Sequence, residues 1–208
     1  MNRLLVYGDS WPYGAGLNNP DQNSFPIIIG KLLALEVHNF SEQGTSVDHA
    51  VYSFISHYKH NFLNNTDKVL FCITSKSRSM IFDQDNCTVE LHPRGVKETD
   101  RMYYKYFYSE KLADLNLEKN ILLVKLICDL LKIQSFFVAN WEDIPCKNHA
   151  NFYHTTLLGI LHSERVNLIE DTNGVSLMWN PSPYLFDHRH PNEKGHQKIA
   201  EELSKWIN

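Results

Sequence analysis

A chain of 208 residues with 43% hydrophobic content can bury a full core as one domain and is too apolar to be a disordered tail. Its formal net charge of -4, with no block of like charges, excludes the electrostatic footprint of a nucleic-acid binder. The apolar run of MNRLLVYGDS stops at Tyr7, too short for a signal-peptide core, and no stretch approaches the roughly 20 apolar residues that cross a bilayer. The expectation is a soluble, cytoplasmic product with no membrane partner.

In chain order, Arg3 to Tyr7 reads as a short buried strand. FPIIIGKLLAL, Phe25 to Leu35, has helical length and spacing, with Ser24 before it and Pro26 in its first turn. Val37 to Phe40 reads as a second strand that leads into the glycine-centred loop SEQGTS. Val51, Phe54, Ile55, Tyr58 and Phe62 recur at helical spacing within Val47 to Phe62, so one face of that helix packs inward. KVLFCI, Lys68 to Ile73, is the clearest strand so far.

From Ile81 to Arg101 the periodicity lapses into an insertion-like segment with turn chemistry at Pro93 and Gly95. Tyr103 to Ile133 then reads as a long, interrupted helix. The run MYYKYFY, Met102 to Tyr108, is a candidate cleft lining, although packing into the core is the favoured reading. Ser135 to Ala139 is a further strand, Asn151 to His162 a helix, Val166 to Ile169 a short strand, and Glu193 to Ile207 an amphipathic closing helix. Strands alternating with helices imply right-handed crossovers and a mostly parallel sheet covered on both faces. The four cysteines, Cys72, Cys87, Cys128 and Cys146, form no C-x-x-C pair and read as reduced structural thiols.

Ligands of such sheets bind at the carboxyl ends of the strands, so Asp9, Ser10 and the loops after Phe40 and Ile73 are expected on one edge. Ser10 follows the first strand, where a hydroxyl becomes a nucleophile if a base takes its proton and donors receive the oxyanion. The base is sought in FDHRHPNEKGHQKIAEEL, where Asp187 and His190 stand three residues apart before a helix. That spacing lets the carboxylate hold one imidazole nitrogen while the other reaches Ser10. His188 and His196 compete for the same role, with His196 expected on the helix, facing solvent or helix neighbours. Asp9 is read as bonding backbone amides at the loop start. Trp11 and Tyr13 either wall a substrate pocket or pack the helix onto the sheet. His57 with His60, or His188, His190 and His196, are conceivable metal ligands, but no H-E-x-x-H or cysteine pair accompanies them. No metal and no cofactor are expected. Gly8, Gly14 and Gly16 lack the G-x-G-x-x-G spacing of a nucleotide loop.

GDSWPYGAG, followed by NFSEQGTS and closed by DHRHPNEKGHQKIA, resembles the SGNH/GDSL family of serine hydrolases. The resemblance implies a three-layer α/β/α sandwich, flavodoxin-like, with about five parallel strands in a single domain spanning residues 1–208. It implies a Ser10, His190, Asp187 triad and an oxyanion hole fed by the Ser10 and Gly44 backbone N–H groups. In the third block the family usually carries Gly-x-Asn-Asp, whose Asn donates to the oxyanion. This chain reads Ile73-Thr74-Ser75-Lys76-Ser77-Arg78, similar to divergent phage-encoded members, and Thr74, Ser75, Ser77 or Arg78 is left to replace the Asn. The implied substrate is a small-molecule or glycan ester. The same residues also fit an acyltransferase, or a binding protein that kept the fold and lost activity. Oligomeric state is not readable.

Overall fold

The computed structural model describes residues 2–85, 87–93, 95–141, 144, 151–161, 183–186 and 190–208. Its centre is the strand β1 (Arg3–Tyr7), in which Leu4, Leu5, Val6 and Tyr7 are all fully buried. Four consecutive buried side chains point alternately to opposite faces, so the strand has a layer of protein on each side. β2 (Glu36–Asn39) and β3 (Lys68–Ile73) flank it, and β6 (Gln134–Ala139) lies beyond β3, giving a parallel sheet in the order β2-β1-β3-β6. The register runs Val6↔Leu70 and Leu70↔Phe136, so the carboxyl ends of β1, β3 and β6 share one edge.

The alternation sorts the core into two layers. Leu5, Tyr7, Val69, Phe71, Ile73 and Phe137 pack against α4 (Val47–Lys59) and α6 (Glu110–Leu131). Leu4, Val6, Leu70, Cys72, Phe136 and Val138 pack against α3 (Phe25–Leu33), α7 (Leu157–Leu161) and α8 (Glu193–Ile207). Each fully buried aliphatic side chain contributes about 1.5–3 kcal/mol by leaving water. At the amino edge, Arg3 grips the buried Asp67 with two hydrogen bonds of 2.8 Å, fixing the start of β1 to the turn before β3.

The expected α/β/α sandwich is therefore observed with four parallel strands among the described residues. The strand expected at 166–169 lies outside them, and Phe152 makes an isolated parallel bridge to Phe137. The segment from Ile81 to Arg101 holds an antiparallel hairpin, β4 (Ser79–Phe82) and β5 (Thr88–Leu91), set apart from the main sheet. The long helix divides into α5 (Glu98–Tyr106) and α6, where the Ser109 hydroxyl caps the new start by accepting from Leu112 N–H. MYYKYFY is not core: Met102, Tyr106 and Phe107 are exposed, because only the Tyr103 and Tyr104 side of α5 turns toward the hairpin. Cys72, Cys87 and Cys128 are free thiols. No helix among the described residues is long and apolar enough to cross a membrane.

Of the two surroundings expected for His196, solvent or helix neighbours, the structure has the second. His196 is fully buried between α8 and α3, and its Nδ1 accepts the Phe25 backbone N–H at 3.0 Å. That bond serves one of the orphan donors of the α3 amino end and places the proton of the neutral ring on Nε2, which has no hydrogen-bond partner among the described residues. Burial, with the nearby His190 adding to it, lowers the His196 pKa to about 3. The unfolded chain therefore binds a proton that the folded one refuses, and stability must fall as pH drops below ~6.5, the ordinary histidine value. The expected loss is about 2 kcal/mol between pH 8 and pH 5. Urea unfolding of wild type and His196→Gln at the two pH values should show a markedly shallower pH dependence in the variant.

Candidate active site

The opening turn explains its own composition. Gly8 ends β1 against Pro12 and Cys72, and a Cβ placed there would lie 2.6 Å from the Pro12 Cγ and 2.9 Å from the Cys72 Cβ. Only glycine lets the turn sit that close to β3. Asp9 then caps α1 (Ser10–Tyr13), its carboxylate accepting from Trp11 N–H at 3.1 Å, and Ser10 occupies the first helical position. Trp11 is 3% exposed and tilts against Trp141, while Tyr13 reaches the surface at 37%. Trp11 thus serves mainly as packing, and Tyr13 is the exposed aromatic of this turn.

The partner of Ser10 arrives from the other end of the chain. The short strands β7 (Leu185–Phe186) and β8 (His190–Pro191) pair antiparallel, placing His190 Nε2 3.0 Å from Ser10 Oγ. Asn192 fixes the histidine from behind. Its Oδ1 accepts Gly195 N–H at 3.0 Å to cap α8, its Nδ2 donates to the Pro183 carbonyl at 2.8 Å, and its backbone N–H reaches the Tyr184 carbonyl. Asp187 lies outside the described residues. His190 and Ser10 stand 180 positions apart, yet one hydrogen bond joins them.

Asp9 is the hub beneath this pair. It is fully buried, and its two oxygens collect Thr74 Oγ1 at 2.7 Å, Asn140 Nδ2 at 2.8 Å, Trp11 N–H and Arg78 Nη1 at 3.3 Å. Burial raises the Asp9 pKa, against the downward pull of Thr74, Trp11 N–H, Arg78 and Asn140. All four contacts are donors, and such a shell suits the carboxylate form. Asp9 therefore acts on substrate only through the turn that it holds. Arg78 Nη1 also donates to the Thr45 carbonyl at 3.3 Å, and the guanidinium rests over the Trp141 ring at 5.7 Å. Ser75 and Ser77 join their hydroxyls at 2.8 Å. The residues expected to replace the missing Asn are thus turned largely toward Asp9 and toward one another.

Gly44 sits in the loop between β2 and α4 with φ +78, and nothing lies within 4 Å of where its Cβ would stand. The loop is tied to the opening turn by Glu42 N–H to the Gly8 carbonyl at 3.2 Å and by Thr45 Oγ1 to the same carbonyl at 3.4 Å, and Thr45 Oγ1 also closes the loop on the Glu42 carbonyl at 2.9 Å. Neither the Ser10 nor the Gly44 backbone N–H donates to an acceptor among the described residues. An uncommitted donor on Ser10 itself and another in the loop bonded to its turn are of the kind that suits a developing oxyanion. No group of three or more metal-ligating side chains occurs among the described residues.

Asn140 and Thr45 escaped the sequence reading. Asn140 is the first residue after β6, and the rule that placed Ser10 and Thr74 at strand ends applies equally to it.

No protein-family model matches the chain, and no curated protein matches it by sequence. Solved structures match it in fold. The psychrotrophic esterase EstA from a Pseudoalteromonas species, in a structure inhibited by monoethylphosphonate, aligns over 100% of both chains at 13% identity with a TM-score of 0.56. A member of the lipolytic protein G-D-S-L family from Veillonella parvula aligns over 99% of this chain and 97% of its own, at 11% identity and TM-score 0.55. An acetyl xylan esterase from the rumen bacterium Butyrivibrio proteoclasticus aligns over 100% of this chain but 63% of its own, at 11% identity and TM-score 0.53. The chain therefore has the fold of the SGNH/GDSL hydrolases, at identities that carry fold alone.

The Asp9 hub makes a stability prediction separable from any activity. Asp9→Ala strands a buried amide, a hydroxyl and a guanidinium together, and is expected to cost about 3 kcal/mol. Arg78→Lys, which keeps a cation on the partly exposed side, should cost below about 1 kcal/mol. Chemical denaturation of the two variants checks the order, and equal losses would contradict it.

Proposed function

We propose that the protein is a serine esterase that takes an acyl group from a carboxylic ester onto Ser10 and passes it to water. The observation that carries this reading is the 3.0 Å contact between His190 Nε2 and Ser10 Oγ, at the carboxyl edge of a parallel sheet.

In the proposed step, Ser10 Oγ attacks the ester carbonyl as its proton moves to His190 Nε2. The carbonyl oxygen gains negative charge and is received by the Ser10 and Gly44 backbone N–H groups, which have no acceptor among the described residues. Collapse breaks the bond to the alcohol, which leaves with the proton from His190. Water then attacks the acyl-enzyme, gives its proton to His190, and the acid departs as Ser10 recovers its hydrogen. Asp187, three residues before His190, is assigned to orient the imidazole. No cofactor enters these steps.

Substrates with a short acyl group fit best, either simple esters or O-acetyl groups on a glycan. The names of the Pseudoalteromonas esterase and the acetyl xylan esterase support that direction. A rival reading, a weak or inactive protein that binds rather than cleaves, draws on Thr74 and Arg78 being engaged by Asp9. Acyl transfer to a sugar uses the same residues and differs only in requiring an acceptor for turnover.

The test is covalent labelling by a fluorophosphonate, read by intact mass and peptide mapping. Wild type is expected to take one adduct on Ser10. Ser10→Ala should take none, and His190→Ala should react about a thousandfold more slowly or less. Absence of an adduct on folded wild type would favour the binding protein.

A further inference from the structure

The loop that presents Gly44 is held from outside the sheet, by the hairpin β4–β5. Glu90 on β5 grips it at two points: Oε2 accepts the Ser46 backbone N–H at 2.9 Å, and Oε1 meets His49 Nδ1 at 3.0 Å. Ser46 is the cap of α4 and is 1% exposed, its hydroxyl accepting from His49 N–H at 3.3 Å. One carboxylate therefore binds both the end of the Gly44 loop and the first turn of the helix after it. Asp48, next to His49, reinforces the dock. Its carboxylate accepts from the Ser79 hydroxyl and the Met80 N–H of β4, and from Asn116 and Asn120 of α6.

Gly44 itself offers no side chain to fix, and its left-handed backbone has open space beside it. Its position follows from the two ends of its loop. The leading end hangs on Gly8 through Glu42 N–H, and the trailing end hangs on Arg78 through the Thr45 carbonyl and on Glu90 through Ser46.

We propose that Glu90 is a positioning residue for the esterase, holding the Gly44 amide where an oxyanion forms by clamping Ser46 and His49 to the hairpin. The proposal rests on the hydrolase reading above and adds a residue outside the triad and the oxyanion hole. The charged groups facing His49 are Glu90 from β5 and Glu42 from the Gly44 loop. The Glu90 hydrogen bond is the largest influence that raises the His49 pKa, opposed by partial burial and assisted by Glu42. The contact with the Glu90 carboxylate thus favours the protonated His49 ring.

The experiment compares wild type, Glu90→Ala, Glu90→Gln and Thr88→Ala, the last an exposed change on the same strand. Backbone amide exchange of residues 44–46 is followed by NMR, and kcat and KM are measured on p-nitrophenyl acetate. Glu90→Ala is expected to speed exchange at Ser46, the amide of this loop that Glu90 holds, by ~10-fold or more, to shift the Gly44 amide resonance, and to lower kcat ~10- to 100-fold with KM nearly unchanged. Glu90→Gln keeps an acceptor for Ser46 N–H, so it should recover most of the rate while the His49 titration shifts downward. Thr88→Ala should match wild type. Wild-type exchange at 44–46 in folded Glu90→Ala overturns the proposal, as does faster exchange with unchanged kcat. If wild type takes no fluorophosphonate, the hydrolase reading fails and takes the catalytic half of the proposal with it; the exchange data still show whether the clamp exists.

Discussion

A carboxylate removed from water and surrounded by four donors organises this end of the molecule. Asp9 draws one hydrogen bond from its own turn, one from Thr74 after β3, one from Asn140 after β6 and one from Arg78. Burying a charge is costly unless each lone pair finds a donor, so these contacts form a set: each is strong because the others complete the shell. The set converts three parallel strand ends into one rigid platform, and Ser10 stands one residue along from its centre. Arg78 extends the platform sideways to the Thr45 carbonyl, linking the serine turn to the loop of Gly44. The proposed nucleophile and the proposed oxyanion donor are thereby referred to the same buried charge.

The buried strands were legible because β1, β3 and β6 are covered on both faces and write themselves as unbroken apolar runs. α8 was legible through its amphipathic period, and the turn at Ser10 through the glycine before it. Pairing Ser10 with His190 needed a further step, since nothing local connects residues 180 positions apart. The D-x-x-H spacing before the closing helix, with the resemblance of both ends of the chain to one family, supplied the missing link. Less legible was anything decided by tertiary contact. MYYKYFY has the composition of core, yet most of α5 faces solvent, because its docking partner is a narrow hairpin rather than the sheet. The hairpin itself carries no Asn-Gly or Asp-Gly turn between its strands, and only the contacts of Asp48 and Glu90 reveal where it belongs.

His196 shows how an open choice was decided. A histidine in a lysine-rich helix can face solvent or helix neighbours, and position 196 falls on the stripe shared with Ile199, Ala200 and Leu203, all fully buried. Periodicity outranked polarity there. The ring can occupy the stripe only as a neutral imidazole that accepts the first N–H of α3, so burial, tautomer and helix capping are a single choice. The same physics separates the two histidines near the site. His190 stands half-buried where a proton can pass, and His196 is sealed where it cannot.

The third block shows how far a changed motif alters function and how far it only redistributes support. The absence of an Asn after β3 removes one neutral donor from the edge of the oxyanion site. Thr74 and Arg78 stand in the same stretch, but their best-defined bonds go downward, to Asp9. What they supply is rigidity beneath the serine rather than a third bond above it. Losing one oxyanion donor costs on the order of a hundredfold to a thousandfold in rate, so a chain built this way must place its two backbone donors well. The Ser10 amide is held by Asp9 through the helix that it caps. The Gly44 amide has no such buried anchor, and the hairpin that brings Glu90 against Ser46 supplies one from outside the sheet. On the esterase reading, the lack of an Asn after β3 and the hairpin against Ser46 belong to one arrangement, in which a backbone held by salt-linked side chains takes the place of a side-chain donor.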